Sequence, residues 1–155
     1  MANNYTQFNI HLVFAVKGRE RIINEQLMDE LCKYIHGIMI GLKQYPLAIR
    51  GYKDHIHLFF ELHPTTPISD VAEKVKANSS KWINDNKKVL GYFEWQRGYG
   101  GFSYSKSQRD VVIKYILTQK EHHETKISFK EEYLKMLNDF GIEFKDEYLF
   151  EFYTS

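Results

Sequence analysis

Apolar residues recur at every second position from Phe8 to Val16, through Ile10, Leu12 and Phe14. A period of two belongs to a strand with one face covered, so residues 8–16 are expected to form a half-buried strand. Leu27, Leu31, Tyr34, Ile35, Ile38 and Leu42 then fall at three- and four-residue spacing, the stripe of an amphipathic helix over residues 24–42, with Gly41 near its end. Residues 46–52 and 55–62 return to the short period around a turn at 51–54. In the second of these strands Ile56, Leu58, Phe60 and Leu62 form the apolar set, His55, His57 and Glu61 lie between them, and Pro64 and Pro67 stop the pattern. Ser69 is the expected N-cap of a helix reaching about Asn86, with Val71, Val75, Trp82 and Ile83 turned inward. Residues 92–105 place Phe93, Trp95, Phe102 and Tyr104 around Gly98, Gly100 and Gly101, which reads as strand, loop, strand. Ser107 with Asp110 is the expected capping pair of a helix over residues 108–123, and a last helix over about 129–140 ends at Gly141. The order β-α-β-β-α-β followed by further helices predicts an α+β fold of ferredoxin-like (RRM-like) type: an antiparallel sheet with helices on one face, plus C-terminal helices.

No repeat, low-complexity tract or Pro/Gly-rich linker divides the 155 residues, so residues 1–155 are expected to form a single domain. Aromatic residues make up 15% of the chain, which excludes a disordered polymer. No apolar run approaches the ~20 residues that span a bilayer, and the start MANNYTQF lacks the basic and apolar segments of a signal peptide. The lone cysteine, Cys32, excludes a disulfide framework and a multi-cysteine zinc site, so the cytoplasm is the expected location. The net charge of +1 conceals an asymmetry: eight Lys/Arg face four acids in residues 65–109, and three Lys face seven acids in residues 127–155. A basic middle beside an acidic tail suits a polyanionic partner, although a solvated helix face has the same composition.

Two motifs carry candidate chemistry. In His55-Ile56-His57 the two imidazoles share one face of a strand, opposite Ile56 and Leu58, and neutral imidazoles so placed can bind one divalent ion. Two hydrogen-bonded strand histidines would show the same spacing. Tyr115 and Gln119, four residues apart on one helix face, offer a phenol that can act as nucleophile and a carbonyl oxygen for a hard cation. The alternative is a buried stripe of Val111, Val112, Tyr115 and Ile116. His122 and His123, with Glu121 and Glu124, could form a second metal cluster. Adjacent helical residues diverge by about a hundred degrees, however, so a solvated helix end is expected there. Gly98-Tyr99-Gly100-Gly101 lacks both the Walker lysine and the Rossmann spacing, which leaves a turn rather than a phosphate cradle. No Gly-x-Ser-x-Gly elbow is present, and Cys32 has no base nearby in sequence.

Taken in order, His11-Leu12-Val13-Phe14, Asp54-His55-Ile56-His57-Leu58, Val75-Lys76-Ala77-Asn78-Ser79-Ser80-Lys81-Trp82, Trp95-Gln96-Arg97-Gly98-Tyr99-Gly100-Gly101-Phe102-Ser103 and Tyr115-Ile116-Leu117-Thr118-Gln119-Lys120-Glu121-His122-His123 cover almost the whole chain. This series resembles the single-tyrosine HUH transposases of the IS-200-like family, relatives of the REP-associated tyrosine transposases. Tyr52-Lys53 stands where that family commonly has Met-Pro, and Gly101 where it commonly has Ala, and neither position is a ligand or the nucleophile. The resemblance implies a transposase that nicks and rejoins single-stranded transposon ends through a 5′-phosphotyrosine intermediate. Tyr115 is then the nucleophile, and His55, His57 and Gln119 hold a divalent ion, Mg²⁺ or Mn²⁺. It also implies recognition of subterminal DNA hairpins by a homodimer, with sites shared in trans in many members. Lys74, Lys76, Lys81, Arg97 and Tyr99 are the candidate DNA-binding residues, since single strands are held by basic grooves and stacking aromatics; a solubilising surface is their alternative reading. Gly98, Gly100 and Gly101 are candidate hinges for the tyrosine helix. A domesticated REP-type endonuclease would share this chemistry, whereas a non-catalytic ferredoxin-like nucleic-acid-binding module would be indifferent to Tyr115→Phe.

Overall fold

The computed structural model describes residues 5–18, 23–125 and 127–152. In chain order the elements are β1 (Asn9–Ala15), α1 (Glu25–Gly41), β2 (Tyr45–Tyr52), β3 (His55–Glu61), α2 (Ile68–Asp85), β4 (Gly100–Tyr104), α3 (Arg109–Leu117), α4 (Gln119–Thr125) and α5 (Phe129–Asp139). The four strands form one antiparallel sheet in the order β2-β3-β1-β4, the ferredoxin-like arrangement with the expected C-terminal helices added. Among the described residues no helix is long and apolar enough to cross a membrane.

Leu12, Phe14, Ile56, Leu58 and Phe60 on one face of the sheet join Leu27, Leu31 and Ile35 of α1 and Val71, Val75 and Ile83 of α2 in the main core, and all are almost fully buried. Asn24 starts α1 by accepting the Leu27 amide at 2.8 Å. Phe14 meets Trp95 edge-on at 4.8 Å, and the Trp95 indole donates to Ser79 Oγ at 2.9 Å, which ties the segment before β4 to α2.

The second face is covered as well. All seven residues of β1 are buried, including Asn9, His11 and Val13. The expected half-buried strand is therefore buried on both sides, because α3 and α5 close over the positions that the alternation leaves polar. On this side Ala48 and Phe59 pack with Val112 and Ile116. α5 reaches the sheet because Gly100 has no side chain: a Cβ there would lie 2.6 Å from Tyr133 Cε1. Gly51 is equally constrained, since its Cβ would fall 2.0 Å from the His55 carbonyl oxygen at the tight β2–β3 connection.

Several local expectations change. Ser69 lies inside α2, whose N-cap is Pro67; its extended backbone (φ −62°, ψ 142°) leads directly into the helix without a side-chain cap. Trp82 is only half-buried and stacks on Tyr34 at 4.6 Å, at the rim of the core. The stretch before β4 contributes a single bridge, Val16 with Trp95, instead of a strand. The backbone of Phe93 is satisfied by the Asn84 side chain, which donates and accepts at 2.9 and 2.7 Å. Ser105, not Ser107, is the capping residue: with Gln108 it forms a reciprocal box around a 3₁₀ turn, Lys106–Gln108, that leads into α3. The helix expected over 108–123 is two helices, interrupted at Thr118 (φ −107°, ψ 29°), whose hydroxyl donates to the Lys114 carbonyl at 2.8 Å. Gly100 and Gly101 are paired with Val13 and Leu12 inside β4, so they are sheet residues and not a hinge for α3; only Gly98, at φ +82°, makes a turn.

Candidate metal and nucleophile site

His55 and His57 project from β3 onto the face closed by the C-terminal helices, at 1% and 0% exposure. Each ring is fixed through Nδ1: His55 Nδ1 donates to Asp54 Oδ1 at 3.0 Å, and His57 Nδ1 meets His11 Nε2 at 2.7 Å. Their Nε2 atoms converge on two residues. His55 Nε2 lies 2.9 Å from Gln119 Oε1, and His57 Nε2 lies 3.1 Å from Glu132 Oε1. Gln119 is fully buried at the start of α4, and its amide donates to Glu132 Oε2 at 3.0 Å. The Tyr115 hydroxyl donates to the same Oε2. One carboxylate therefore links Tyr115, Gln119 and the paired histidines within a single chain.

The sequence-predicted residues Tyr115, His55, His57 and Gln119 are thus brought together. Val112 and Ile116 take the buried stripe of α3, Val111 is exposed, and Tyr115 is half-buried with its oxygen on a carboxylate rather than in hydrocarbon. Three further residues were missed. Glu132 was visible as an acid on the stripe Phe129, Tyr133, Met136 and Leu137 of α5. His123 continues the four-residue spacing of Tyr115 and Gln119. It is not part of a solvated helix end: its side chain is 5% exposed, and Nε2 lies 3.0 Å from Gln119 Oε1 and 3.3 Å from Glu132 Oε1. His122 instead lies beside the Tyr115 ring at 4.8 Å and meets Thr118 Oγ1 at 3.1 Å. His11 entered only as the first residue of the His11-Leu12-Val13-Phe14 motif, with no role attached to it.

Charge in this pocket is strongly coupled. Burial pushes the Glu132 carboxyl up, but His57 and the hydrogen bonds from His123 and His57 outweigh it and hold the group well below the usual carboxylate range. Burial lowers His57 and His11, and each also feels a neighbouring histidine. Burial lowers His123 too, yet its hydrogen bond to Glu132 leaves it raised overall. Burial and then the Glu132 charge raise the Tyr115 phenol far above its ordinary value. His55, His57 and Glu132 form a buried group with ligand atoms close enough to hold one metal ion.

The sequence profile described as Transposase IS200 like matches residues 4–119. The chain belongs to the IS200-like transposase family. It is accordingly a member of a family of DNA-processing enzymes. Among curated proteins, the ISDra2 transposase TnpA of Deinococcus radiodurans is 24% identical over 118 residues, covering 73% of this chain and 84% of that protein. Two solved structures share the fold. A candidate transposase of Deinococcus radiodurans R1 aligns with a TM-score of 0.60 at 20% identity, over 77% of this chain and 95% of its own. The REP-associated tyrosine transposase bound to a REP hairpin gives a TM-score of 0.59 at 13% identity, over 79% of this chain and 73% of its own. Glu132 and His123 lie beyond the matched stretch of this IS200-like chain.

The five candidate DNA-binding residues sit elsewhere. Lys74, Lys81, Arg97 and Tyr99 are exposed, and Lys81 pairs with Asp85 at 2.5 Å. Lys76 is half-buried near the Phe14 ring and donates to the Gln96 and Gly98 carbonyls at 2.9 and 2.5 Å, so it straps α2 to the segment before β4. The helix that carries the three lysines packs on the face opposite the histidines.

Proposed function

We propose that this chain nicks and rejoins single-stranded DNA at transposon ends through a 5′-phosphotyrosine intermediate on Tyr115, with a divalent ion held by His55, His57 and Gln119. The observation that carries the reading is the convergence of Tyr115, Gln119 and both strand histidines on one buried carboxylate. Two imidazole nitrogens and an amide oxygen suit a borderline divalent cation such as Mn²⁺, and Mg²⁺ through the oxygen. When bound, that ion supplies Lewis-acid polarisation and orientation of the scissile phosphate.

The protein's own groups do the rest. Asp54 and His11 fix the rings of His55 and His57, so their ligand atoms stay aimed without being ordered anew at each turnover. Glu132 Oε2 accepts the Tyr115 hydroxyl and is placed to take its proton. The Tyr115 oxygen then forms a bond to phosphorus as the bond to the 3′-oxygen breaks, and that oxygen takes a proton to leave as a free 3′-hydroxyl. Rejoining reverses the sequence: a 3′-hydroxyl attacks the phosphotyrosine, and phenol, with an ordinary pKa of ~10, leaves more readily than an alkoxide. No external energy source is required. Hairpin binding draws support from a relative whose structure holds a REP hairpin, and Lys74, Arg97 and Tyr99 are exposed and free to contribute.

One chain brings every group named together, so a cis site is geometrically possible, and a homodimer with sites in trans is its alternative. Purified protein, Mn²⁺ and labelled single-stranded hairpin DNA are expected to yield a covalent adduct on a denaturing gel. Tyr115→Phe removes it, while a cooperative melting curve shows that the variant still folds. Mixing Tyr115→Phe with His57→Ala protein leaves the adduct absent if the site is built in cis and restores it if built in trans. Persistence of the adduct in Tyr115→Phe overturns the assignment.

A further inference from the structure

We infer that the cavity between α1, the β2–β3 turn and α4 binds one unpaired guanine of the DNA strand beside the scissile phosphate, and so selects a base flanking the cut. The inference rests on the nicking and joining reading above. The cavity measures about 260 Å³, less than the roughly 300–1,000 Å³ of sites for larger ligands. Ile23 and Met28, both almost fully buried, give it an apolar wall. A flat aromatic ligand suits such a surface, and the Met28 thioether adds a favourable sulfur contact. Three cations, Arg50, Lys53 and Lys120, and two carboxylates, Glu25 and Glu124, complete the lining. The carboxylates repel a bare phosphate, whereas a neutral ring that both donates and accepts can use both kinds of group. These charges are easily re-paired. Lys120 lies 3.2 Å from Glu25 and 3.9 Å from Glu124, and Arg50 lies 2.5 Å from Asp29; in each pair at least one side chain is about half exposed. Exposed ion pairs contribute little, so a ligand can replace them. Glu124 has the loosest of these contacts and can accept two hydrogen bonds side by side. Among the bases guanine presents two adjacent donors, N1–H and N2–H, on its pairing edge. Its O6 and N7 then fall to Arg50 or Lys120.

Position ties the cavity to the reaction. Tyr52, which lines it, stacks on His123 with ring centroids 5.9 Å apart, and His123 meets His55 edge-on at 4.7 Å. α4 turns Gln119 to the histidines and Lys120 and Glu124 to the cavity. Lys53, at φ +58°, holds a left-handed conformation that persists in a lysine only where the surroundings impose it. Its carbonyl accepts the Ile23 amide at 2.7 Å, which braces the turn against the segment entering α1 and leaves the wall fixed before a ligand arrives.

The full chain titrated by calorimetry with dGMP, dAMP, dCMP and dTMP is expected to bind dGMP about tenfold or more tighter than the others. Labelled hairpin DNA in which each base flanking the cut is varied in turn should form the adduct about tenfold faster with guanine at one position than with adenine or inosine there. Glu124→Gln sets an amide donor against N1–H and N2–H, and both preferences should fall below about twofold, with a cooperative melting curve showing that the variant folds. Equal binding of the four nucleotides, with cleavage indifferent to the flanking bases, overturns the inference and leaves the proposed function standing. A guanine preference that persists in Glu124→Gln means that the base is read elsewhere, which also overturns it. So does dGMP binding without base preference in cleavage, the mark of a site for free nucleotide. Absence of the adduct with every substrate removes the nicking reading itself.

Discussion

On the face of the sheet beneath α1 and α2, β1 and β3 contribute Leu12, Phe14, Ile56 and Leu58, hydrocarbon throughout; on the other face the same two strands contribute His11, Val13, His55 and His57. Both faces are equally dry. They differ in what holds them closed. The first is held by non-directional burial, which tolerates changes of shape and loses stability in proportion to lost volume. The second adds to the packing of Phe59, Val112 and Ile116 a set of hydrogen bonds through a single carboxylate, where misplacing one atom leaves several buried groups unpaired. Stability and chemistry are thus divided across a sheet one residue thick, and substitutions on the two sides should fail in different ways.

The sharpest separation is expected from Phe14→Ala. A fully buried ring with an edge-on aromatic partner is lost, at about 3–5 kcal/mol by chemical denaturation, while adduct formation by the folded fraction stays unchanged. Ile116→Val, on the buried stripe of the helix that carries Tyr115, should cost only about 0.5–1.5 kcal/mol. Because it loosens the seat of Tyr115, the proposed nucleophile, the cleavage rate should fall by more than the stability suggests; equal rates would show that α3 is positioned from elsewhere. Lys76→Met tests the apolar side at its margin. Burial lowers this ammonium from 10.5 to about 8, so between those values the unfolded chain binds more protons than the folded one, and stability rises with pH across that window. Partial exposure trims the rise, and a melting series from pH 7 to 11 should be flatter in Lys76→Met.

The apolar face could be read from the sequence because hydrocarbon leaves a periodic trace: β1, β2, β3, α1 and α2 follow from it. Motif spacing left Tyr115, Gln119, His55 and His57 open between structural and chemical readings, and the family resemblance singled them out together. The partners that complete the pocket were not legible. His123 looks like one of two adjacent charged-end histidines until the break at Thr118 resets the helix. Glu132 is one acid in an acidic tail until α5 folds back across the sheet. Capping also escaped, since Ser105 and Ser107 offer equally good acceptor oxygens and only the 3₁₀ turn selects between them. Long-range pairing, such as His11 with His57, has no local signature.

The bare backbone at Gly100 has a reach that its size conceals. Tyr133 rests directly on it, and Tyr133 follows Glu132 in the chain. A single methyl group at position 100 would work as a wedge, lifting the helix by the ring and withdrawing the carboxylate from its partners without altering any of them. The depth of the pocket is thus set from the edge strand, by how little stands beneath one phenol.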